Sequence, residues 1–454
     1  MEMDQQKPHI AILLSPGIGH LIPLIELAKV LALHYNFHVT CIIPTIGPPS
    51  KAMRTVLEAL PTSIDRVFLP PVNSEDLHTV HPGIQICRAI TLSLPSLRDV
   101  FKCLVSTIRL AAFVVDVIGC EALEVAKEFR VTPYVFVSAS ATFLSLSLHM
   151  PKLDETVQGE FRELPEPLKL PGWSIPIQGR DLLDPLQDRQ TEAYKLFLSL
   201  VKRLRLAEGI MVNTFMDLEG RTIKALDMPE YRNPPIFPIG PIIQTGSSTN
   251  HVDESGCISW LENQPSGSVL FVSFGSGGTL SFDQLTELAL GLELSGQSIC
   301  GQSKSSGTSC LFTKRVRGKN RRARTSGALL GTAARILSHS STGGFLTHCG
   351  WNSTLESIAS GIPLIAWPLF AEQRMNAVVL TEDLKVALRP KANEEGLIER
   401  EEIARVIKDL MASEEGKRVQ NRMKDLKIAA EKALTGDGSS KRALSELASK
   451  MASN

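Results

Sequence analysis

Two turns in the last third of the chain gather residue types suited to a sugar joined to a diphosphate. Between Ser338 and Gln373 the apolar runs GGFLTH and PLIAWP each read as a buried strand followed by a polar turn and a helix-like pattern, together a βαβ unit. His348, Gly350, Trp351, Asn352 and Ser353 stand where the first strand ends and a helix carrying Thr354, Leu355, Ile358 and Ala359 begins. Free N–H groups and the positive dipole end make such a helix start an anion seat, and Asn352 or Ser353 can cap it while touching a phosphate. Glu356 lies about one turn further in, where a carboxylate accepts hydrogen bonds from ribose hydroxyls. In the second turn Glu372 and Gln373 set an acceptor-only carboxylate beside an amide that both donates and accepts, as adjacent polyol hydroxyls require. Helix caps and surface polar residues look the same one at a time, so residue chemistry alone leaves both readings standing.

A second set lies near the start. His9 to Ser15 reads as an apolar strand, Pro16-Gly17-Ile18-Gly19 as the turn after it, and Leu21, Leu24, Ala28 and Leu31 recur at helical spacing. His20 therefore sits at a helix start just beyond the carboxyl end of a strand, where open α/β sheets put their sites. The positive end of the helix disfavours a protonated ring and keeps the imidazole available as a base. A lone loop histidine is ordinarily a solvated or capping residue. Asp116 shifts that balance, because it ends another apolar strand, Ala111 to Val115, and emerges on the same sheet edge. An aspartate bonded to one ring nitrogen fixes the tautomer and leaves the other nitrogen to take a proton. Gly17 and Gly19 lack the third glycine of a dinucleotide fingerprint, which weakens that reading. Ser276, in the glycine turn Gly275 to Gly278, reads equally as a phosphate ligand or a satisfied loop hydroxyl.

The elements that must position these residues alternate strand and helix, which predicts an α/β class. Further strands are read in HVTCIIP (38–44), DRVFLP (65–70) and TPYVFVSAS (132–140), with Ser268 to Phe274 as a buried strand of a second domain; GIMVNTFMDLE (209–219) resembles the last strand of the first. The stretches 71–95 and 141–190, rich in Pro, Leu, Ser and His, read as loops that line an acceptor site. Ser281 and Gln284 form the pattern of a capping box, and Ile403, Val406, Ile407 and Leu410 mark one face of a late helix. The 454 residues suffice for two domains: 1–242, a linker at 243–256 that ends the stretch PPIFPIGPIIQTGSSTNHVDESG (234–256), dense in proline and then small and polar, 257–435, and a terminal helix at 436–454.

Lysine plus arginine (48) equals aspartate plus glutamate (48), so no global field recruits nucleic acid or an anionic membrane. The start MEMDQQKPHI is polar and no run reaches the ~18 apolar residues of a membrane span, which reads as a cytoplasmic protein. The eight cysteines are scattered without C-x-x-C spacing, pointing away from a zinc site or a disulfide framework. No Asp-x-Asp is present to hold a divalent metal on a diphosphate, so the leaving-group charge falls to helix termini and side chains.

HCGWNS, followed by Glu356, Gly361, Pro363, Pro368 and Glu372-Gln373, resembles the C-terminal signature box of plant UDP-sugar-dependent glycosyltransferases of family 1. The similarity extends to PGIGHLIPLIELAK, FVVD at 113–116 and SVLFVSFGSGG at 268–278, so it spans most of the chain. It is closest to the hydroquinone-glucosylating, arbutin-synthase type that acts on small phenols. The resemblance implies a GT-B fold: two Rossmann-like domains with parallel sheets facing a cleft, the acceptor mainly on the first, the UDP-sugar mainly on the second, and the last helix returning to the first. It implies that His348, Asn352, Ser353 and Ser276 hold the phosphates in the turn that includes Gly350. Glu356 would hold the ribose, and Trp351, Glu372 and Gln373 would surround the sugar, with Gln373 favouring glucose. His20, oriented by Asp116, would be the catalytic base. UDP-glucose would be a co-substrate rather than a resident cofactor, with no metal, a small phenolic acceptor and a monomeric enzyme.

One stretch departs from the family pattern. After Gly296 the family has a strand, a variable loop and then Trp-Ala-Pro-Gln, whose tryptophan stacks on uracil. Here Leu330 takes the tryptophan's place and Ala333 the glutamine's, Leu294 to Leu355 contains no acidic residue, and Lys314 to Arg324 is a basic run. Back-translating Phe312 to Ala334 with allowed codons and reading one nucleotide later gives, as one permitted string, LPKGFVERTGGRGRLVPSWAPQ, the segment the family has here. The pattern reads as a frame shifted over about 298–335, through a sequence or gene-model error or a real indel. Three rival functions follow: an impaired relative that only binds small molecules, a nucleic-acid binder favoured by the basic run, and an NAD-linked oxidoreductase favoured by the α/β pattern alone. Made as written, the protein would forgo a base-stacking aromatic worth roughly 1–3 kcal/mol, and calorimetric titration with UDP would show weak binding. Sequencing the transcript across this stretch is expected to give codons compatible with the out-of-frame string; incompatible codons would remove the explanation.

Overall fold

Short apolar runs bounded by Gly, Pro and Asp build two mostly parallel sheets whose central strands are buried on both faces. The computed structural model describes residues 7–48, 51–73, 77, 82–244, 256–305, 308–314, 323–324 and 332–453. The chain forms two compact units. The first comprises 1–176, 185–243 and 432–454, the second 177–184 and 244–431. Of the linker expected at 243–256, residues 245–255 lie outside the described residues.

In the first unit the strands are β1 (His9–Leu13), β2 (His38–Ile43), β3 (Ile64–Phe68), β4 (Leu110–Asp116), β5 (Pro133–Val137), β6 (Gly209–Val212) and β7 (Ile236–Pro238). They lie in the order β3-β2-β1-β4-β5-β6-β7, every neighbouring pair parallel. The order reverses between β1 and β4, where a crevice opens at the carboxyl ends of an open α/β sheet. The helix Ile18–His34 packs Leu21, Leu24, Ala28 and Leu31 onto this sheet with no exposure. The terminal helix Ser439–Ser453 adds Leu444, Leu447 and Met451 to the same core, so the stretch 244–431 separates two parts of one packing layer in the chain.

Two stretches expected as loops each contain a long helix. Residues 82–107 of the stretch 71–95 and beyond form the helix Pro82–Thr107, with Cys87, Ile90, Leu97 and Phe101 buried along one face. Residues 141–156 form the helix Ala141–Thr156, capped by Ser140, whose hydroxyl accepts from Phe143 N at 3.1 Å. Pro95 and Pro151 lie inside these helices and masked their period; packing against the sheet outweighs the backbone bond each proline removes.

The second unit contains β8 (Val269–Ser273), β9 (Ser298–Ser305), β10 (Thr308–Lys314), β11 (Ala323–Arg324), β12 (Thr342–Thr347), β13 (Leu364–Ala366) and β14 (Ala387–Leu388), in the order β11-β10-β9-β8-β12-β13-β14. From β9 to β14 neighbouring strands are parallel, and the order reverses between β8 and β12. β10 runs antiparallel to β9 and to β11, so a hairpin closes this edge within the stretch that departs from the family pattern. The helix Phe282–Ser295 lies so close to the helix Arg400–Ala412 that a Cβ on Gly291 would stand 2.6 Å from Ile403 Cβ. Ser281 caps the first helix by accepting from Gln284 N at 3.2 Å, but the return half of the expected capping box is absent. Gln284 is buried, and its amide instead bonds both the N–H and the C=O of Ile398. Among the described residues no helix is long and apolar enough to cross a membrane.

Leu447 is wholly buried in the terminal helix. Leu447→Ala is expected to destabilise the first unit by about 2–5 kcal/mol, read as a shift of the denaturant midpoint at unchanged slope.

Candidate functional site

In the first unit the site grows from the reversal between β1 and β4. β1 runs out at Leu13, Gly17 caps the helix Ile18–His34, and His20 occupies the third position of that helix. Asp116 is the last residue of β4 and is 1% exposed. His20 Nδ1 stands 2.9 Å from Asp116 Oδ2, with the imidazole 39% exposed. The other carboxylate oxygen is held by the Ser15 hydroxyl at 2.7 Å and by the Gly119 N–H at 2.9 Å. Two neutral donors on one oxygen therefore orient the second oxygen toward the ring, which is the geometry that fixes a histidine tautomer. Ser15 and Gly119 carry no spacing signal in the sequence; only the fold brings them to Asp116. The helix Pro82–Thr107 covers the pair. A Cβ on Gly17 would lie 2.8 Å from Ile86 Cδ1, and the Cys87 thiol is pushed up to about 12 by burial, with the charges of Asp116 and Glu121 adding.

In the second unit the turns after β8, β12 and β13 converge. The turn after β8 holds Gly275, in a left-handed conformation with φ 71°, and Ser276, which is exposed. The turn after β12 holds His348, whose ring sits between two glycines: a Cβ on Gly275 would lie 2.7 Å, and one on Gly350 2.5 Å, from His348 Nε2. Only glycine lets both backbones come so near the ring. Burial lowers the His348 pKa to about 4, so its imidazole is uncharged at neutral pH in the ligand-free protein. Gly350 then caps the helix Trp351–Ser360, which puts Trp351, Asn352 and Ser353 at its first three positions. Trp351 is buried, while Asn352 and Ser353 are half-buried at the positive end of the helix. Glu356 sits one turn along with its pKa raised to about 7 by burial.

The turn after β13 carries the other pair. Glu372 caps the helix Gln373–Val378, and Gln373 is 3% exposed. Gln373 Oε1 accepts from Leu369 N at 2.9 Å and Phe370 N at 3.0 Å, so its carbonyl is engaged with the loop and the amide nitrogen is its remaining donor group. Asn376 joins two of the turns: its Nδ2 donates to Cys349 O at 3.0 Å and lies 3.5 Å from Glu372 Oε1. Asn376 was missed in the sequence, although a polar residue between buried Met375 and Ala377 is itself a signal. Cys349 and Ala371, one in each turn, hold positive φ of 64° and 56°, a conformation side-chain-bearing residues seldom adopt.

His20 and Asp116 thus meet in the first unit; Ser276, His348, Gly350, Trp351, Asn352, Ser353, Glu356, Glu372 and Gln373 occupy neighbouring turns of the second. Ala333 is half-buried in the helix Thr332–Leu337, whereas Leu330 and most of the basic run lie outside the described residues. Among the described residues no group of three or more His, Cys, Asp or Glu is placed to hold a metal ion.

Residues 238–423 match the family described as UDP-glucoronosyl and UDP-glucosyl transferase. Over the full length the chain is 53% identical to a hydroquinone glucosyltransferase of Rauvolfia serpentina, across 463 residues and 98% of each protein. Among solved structures it is similar to UGT2 of Phytolacca americana in complex with UDP-2-fluoro-glucose and pterostilbene, with a TM-score of 0.90 and 47% identity over 98% of this chain and 99% of that one. It is also similar to a UDP-glucosyltransferase from Polygonum tinctorium capable of glucosylating indoxyl, with a TM-score of 0.87 and 45% identity over 99% of both chains.

The raised pKa of Glu356 has a stability consequence whose sign is fixed. A carboxyl that holds its proton more tightly when folded contributes stability that is complete below about 4.5 and is lost as pH rises through about 7. Glu356→Gln removes that loss. The variant is expected to be more stable than the parent at pH 8, by on the order of 3 kcal/mol at about 1.4 kcal/mol per pKa unit, and no more stable at pH 4.5. Thermal melts of both proteins across this range test it.

Proposed function

The chain belongs to the UDP-glucoronosyl and UDP-glucosyl transferase family and has its GT-B fold of two Rossmann-like domains, and from that premise we propose that it transfers glucose from UDP-glucose to a hydroxyl of a small phenol or alcohol, inverting the anomeric carbon. The observation that carries this reading is the contact of His20 Nδ1 with the buried Asp116 carboxylate at 2.9 Å. Asp116 holds Nδ1, and the half-exposed ring keeps Nε2 for the acceptor. His20 takes the acceptor's hydroxyl proton as the oxygen attacks the anomeric carbon. The bond from that carbon to the diphosphate breaks, and UDP leaves with the electron pair.

The second unit's residues have matching tasks in this reading. The N–H groups that start the helix Trp351–Ser360, with Asn352 and Ser353, receive the diphosphate, aided by Ser276 and by an uncharged His348 that can donate but not neutralise. Glu356 accepts from ribose hydroxyls; Glu372, the free end of Gln373 and the wall formed by Trp351 address the sugar. Glucose as donor and a phenolic acceptor are supported by the full-length likeness to the hydroquinone glucosyltransferase and to UGT2 with pterostilbene. That likeness gives no support to an impaired relative that only binds small molecules. The same reading makes the protein a monomer of the cytoplasm; among the described residues no helix is long and apolar enough to cross a membrane.

His20→Ala is expected to lower kcat with UDP-glucose and hydroquinone by about 100- to 10,000-fold while leaving the affinity for UDP within twofold. Asp116→Asn should lower kcat less, and both losses should shrink with an acidic phenol such as 4-nitrophenol, whose oxygen needs less help to lose its proton. Radiolabelled glucose transfer measures all three; an undiminished rate in His20→Ala would overturn the assignment.

A further inference from the structure

The eight residues Ile177–Asp184 are flanked in the chain by stretches of the first unit, yet they pack within the second. Ile177, Leu182 and Leu183 are buried there, and each carboxylate of the segment faces an arginine: Asp181 Oδ1 lies 3.7 Å from Arg389 Nη2, and Asp184 Oδ1 accepts from Arg374 Nη2. Asp184 also pairs with the backbone of Ala371 in both directions. Its carboxylate Oδ2 accepts from Ala371 N at 2.6 Å, and its own N–H donates to Ala371 O at 3.1 Å.

Ala371 is the residue whose φ of 56° turns the chain into Glu372 and Gln373. An L-residue in that conformation is disfavoured by roughly 1–2 kcal/mol, so the turn persists only where its surroundings hold it. Within the loop, Gln373 Oε1 holds the N–H groups of Leu369 and Phe370. Leu369 and Phe370 in turn rest on the glycine turn, within 2.8 Å and 3.3 Å of where side chains on Gly278 and Gly277 would begin. The loop is therefore clamped on one side by the donor-site turns and on the other by Asp184, from 187 residues away in sequence.

We infer that Asp184 is a positioning residue for the donor sugar: by fixing the left-handed turn at Ala371 and anchoring Arg374, it sets where Glu372 and Gln373 present their polar groups. This rests on the reading that Glu372 and Gln373 contact the sugar of UDP-glucose. Asp184 itself touches backbone and Arg374 and takes no part in bond making. A loop held less firmly still leaves the helix start at Asn352 and Ser353 intact, so the nucleotide and the sugar should respond differently to its loss.

The test compares Asp184→Asn, Asp184→Ala and Arg374→Met with the parent enzyme in three readouts: kcat/KM for UDP-glucose, inhibition by UDP, and the ratio of turnover with UDP-glucose to that with UDP-galactose. The expected result is a fall in kcat/KM for UDP-glucose of about tenfold in Asp184→Ala, smaller in Asp184→Asn, which keeps one acceptor oxygen for Ala371 N. UDP inhibition should stay within twofold, and the preference for glucose should narrow. Asp184→Asn serves where Asp184→Ala fails to fold. Unchanged kcat/KM and sugar preference in folded variants, or an equal loss for UDP and UDP-glucose, would overturn the inference. Glu372→Gln and Gln373→Ala separate the two levels. If these leave kcat/KM for UDP-glucose unaltered, the reading of the sugar site fails; if they lower it while the Asp184 variants do not, only the role of Asp184 fails.

Discussion

A strand buried on both faces of a parallel sheet leaves no side for a polar group, which confines chemistry to the places where such strands stop. Both units are built around that constraint. In the first, strand order turns back between β1 and β4, and the side chains standing at that line are His20 and Asp116. In the second it turns back between β8 and β12, and there the Gly275 backbone abuts the His348 ring. Crossover connections leave on opposite faces on the two sides of such a line, so the loops part and a crevice remains. Ser15 and Asn376 keep what stands at these lines in register by bonding one turn to another, and Gly119 and Gln373 by bonds within their own turns.

In the proposed reading the second unit's site addresses an anion chiefly with dipoles. His348 is uncharged, Glu356 is drawn toward its neutral form, and the helix start supplies oriented N–H groups. Fixed dipoles are cheaper to bury than an unpaired cation and need no rearrangement when charge arrives or departs. The arginines near the Glu372 turn are tied to carboxylates: Arg374 to Asp184 and Arg389 to Asp181. Positive φ at Cys349 and Ala371 shows where backbone comfort is given up to aim the turns.

Much of this was legible in the sequence because an apolar run that ends in a polar residue announces both a strand and its exit. His20, Asp116, His348 and Glu372 stand at strand exits of that kind, and the roles proposed for them come from the family resemblance. The helices at Pro82–Thr107 and Ala141–Thr156 were obscured because prolines broke a period that burial of Cys87, Ile90, Leu97 and Phe101 nonetheless enforces. Gln284 was read as half of a capping box because spacing shows a neighbour three residues away but not Ile398, 114 residues on. Asp184 was invisible for the same reason: its partners are remote in sequence, and nothing local distinguishes it from the other acids of its loop.

The path of the chain carries a consequence for how such molecules are recombined. A two-unit protein needs one passage from half to half, but this chain passes at 176–177, 184–185, 243–244 and 431–432. Swapping halves between relatives at the obvious join near 243 would pit Asp181 and Asp184 of one parent against Arg389 and Arg374 of the other. The inheritable block that keeps its own partners is discontinuous: the short segment 177–184 must travel with 244–431, and the tail from Lys432 must stay with the amino-terminal parent.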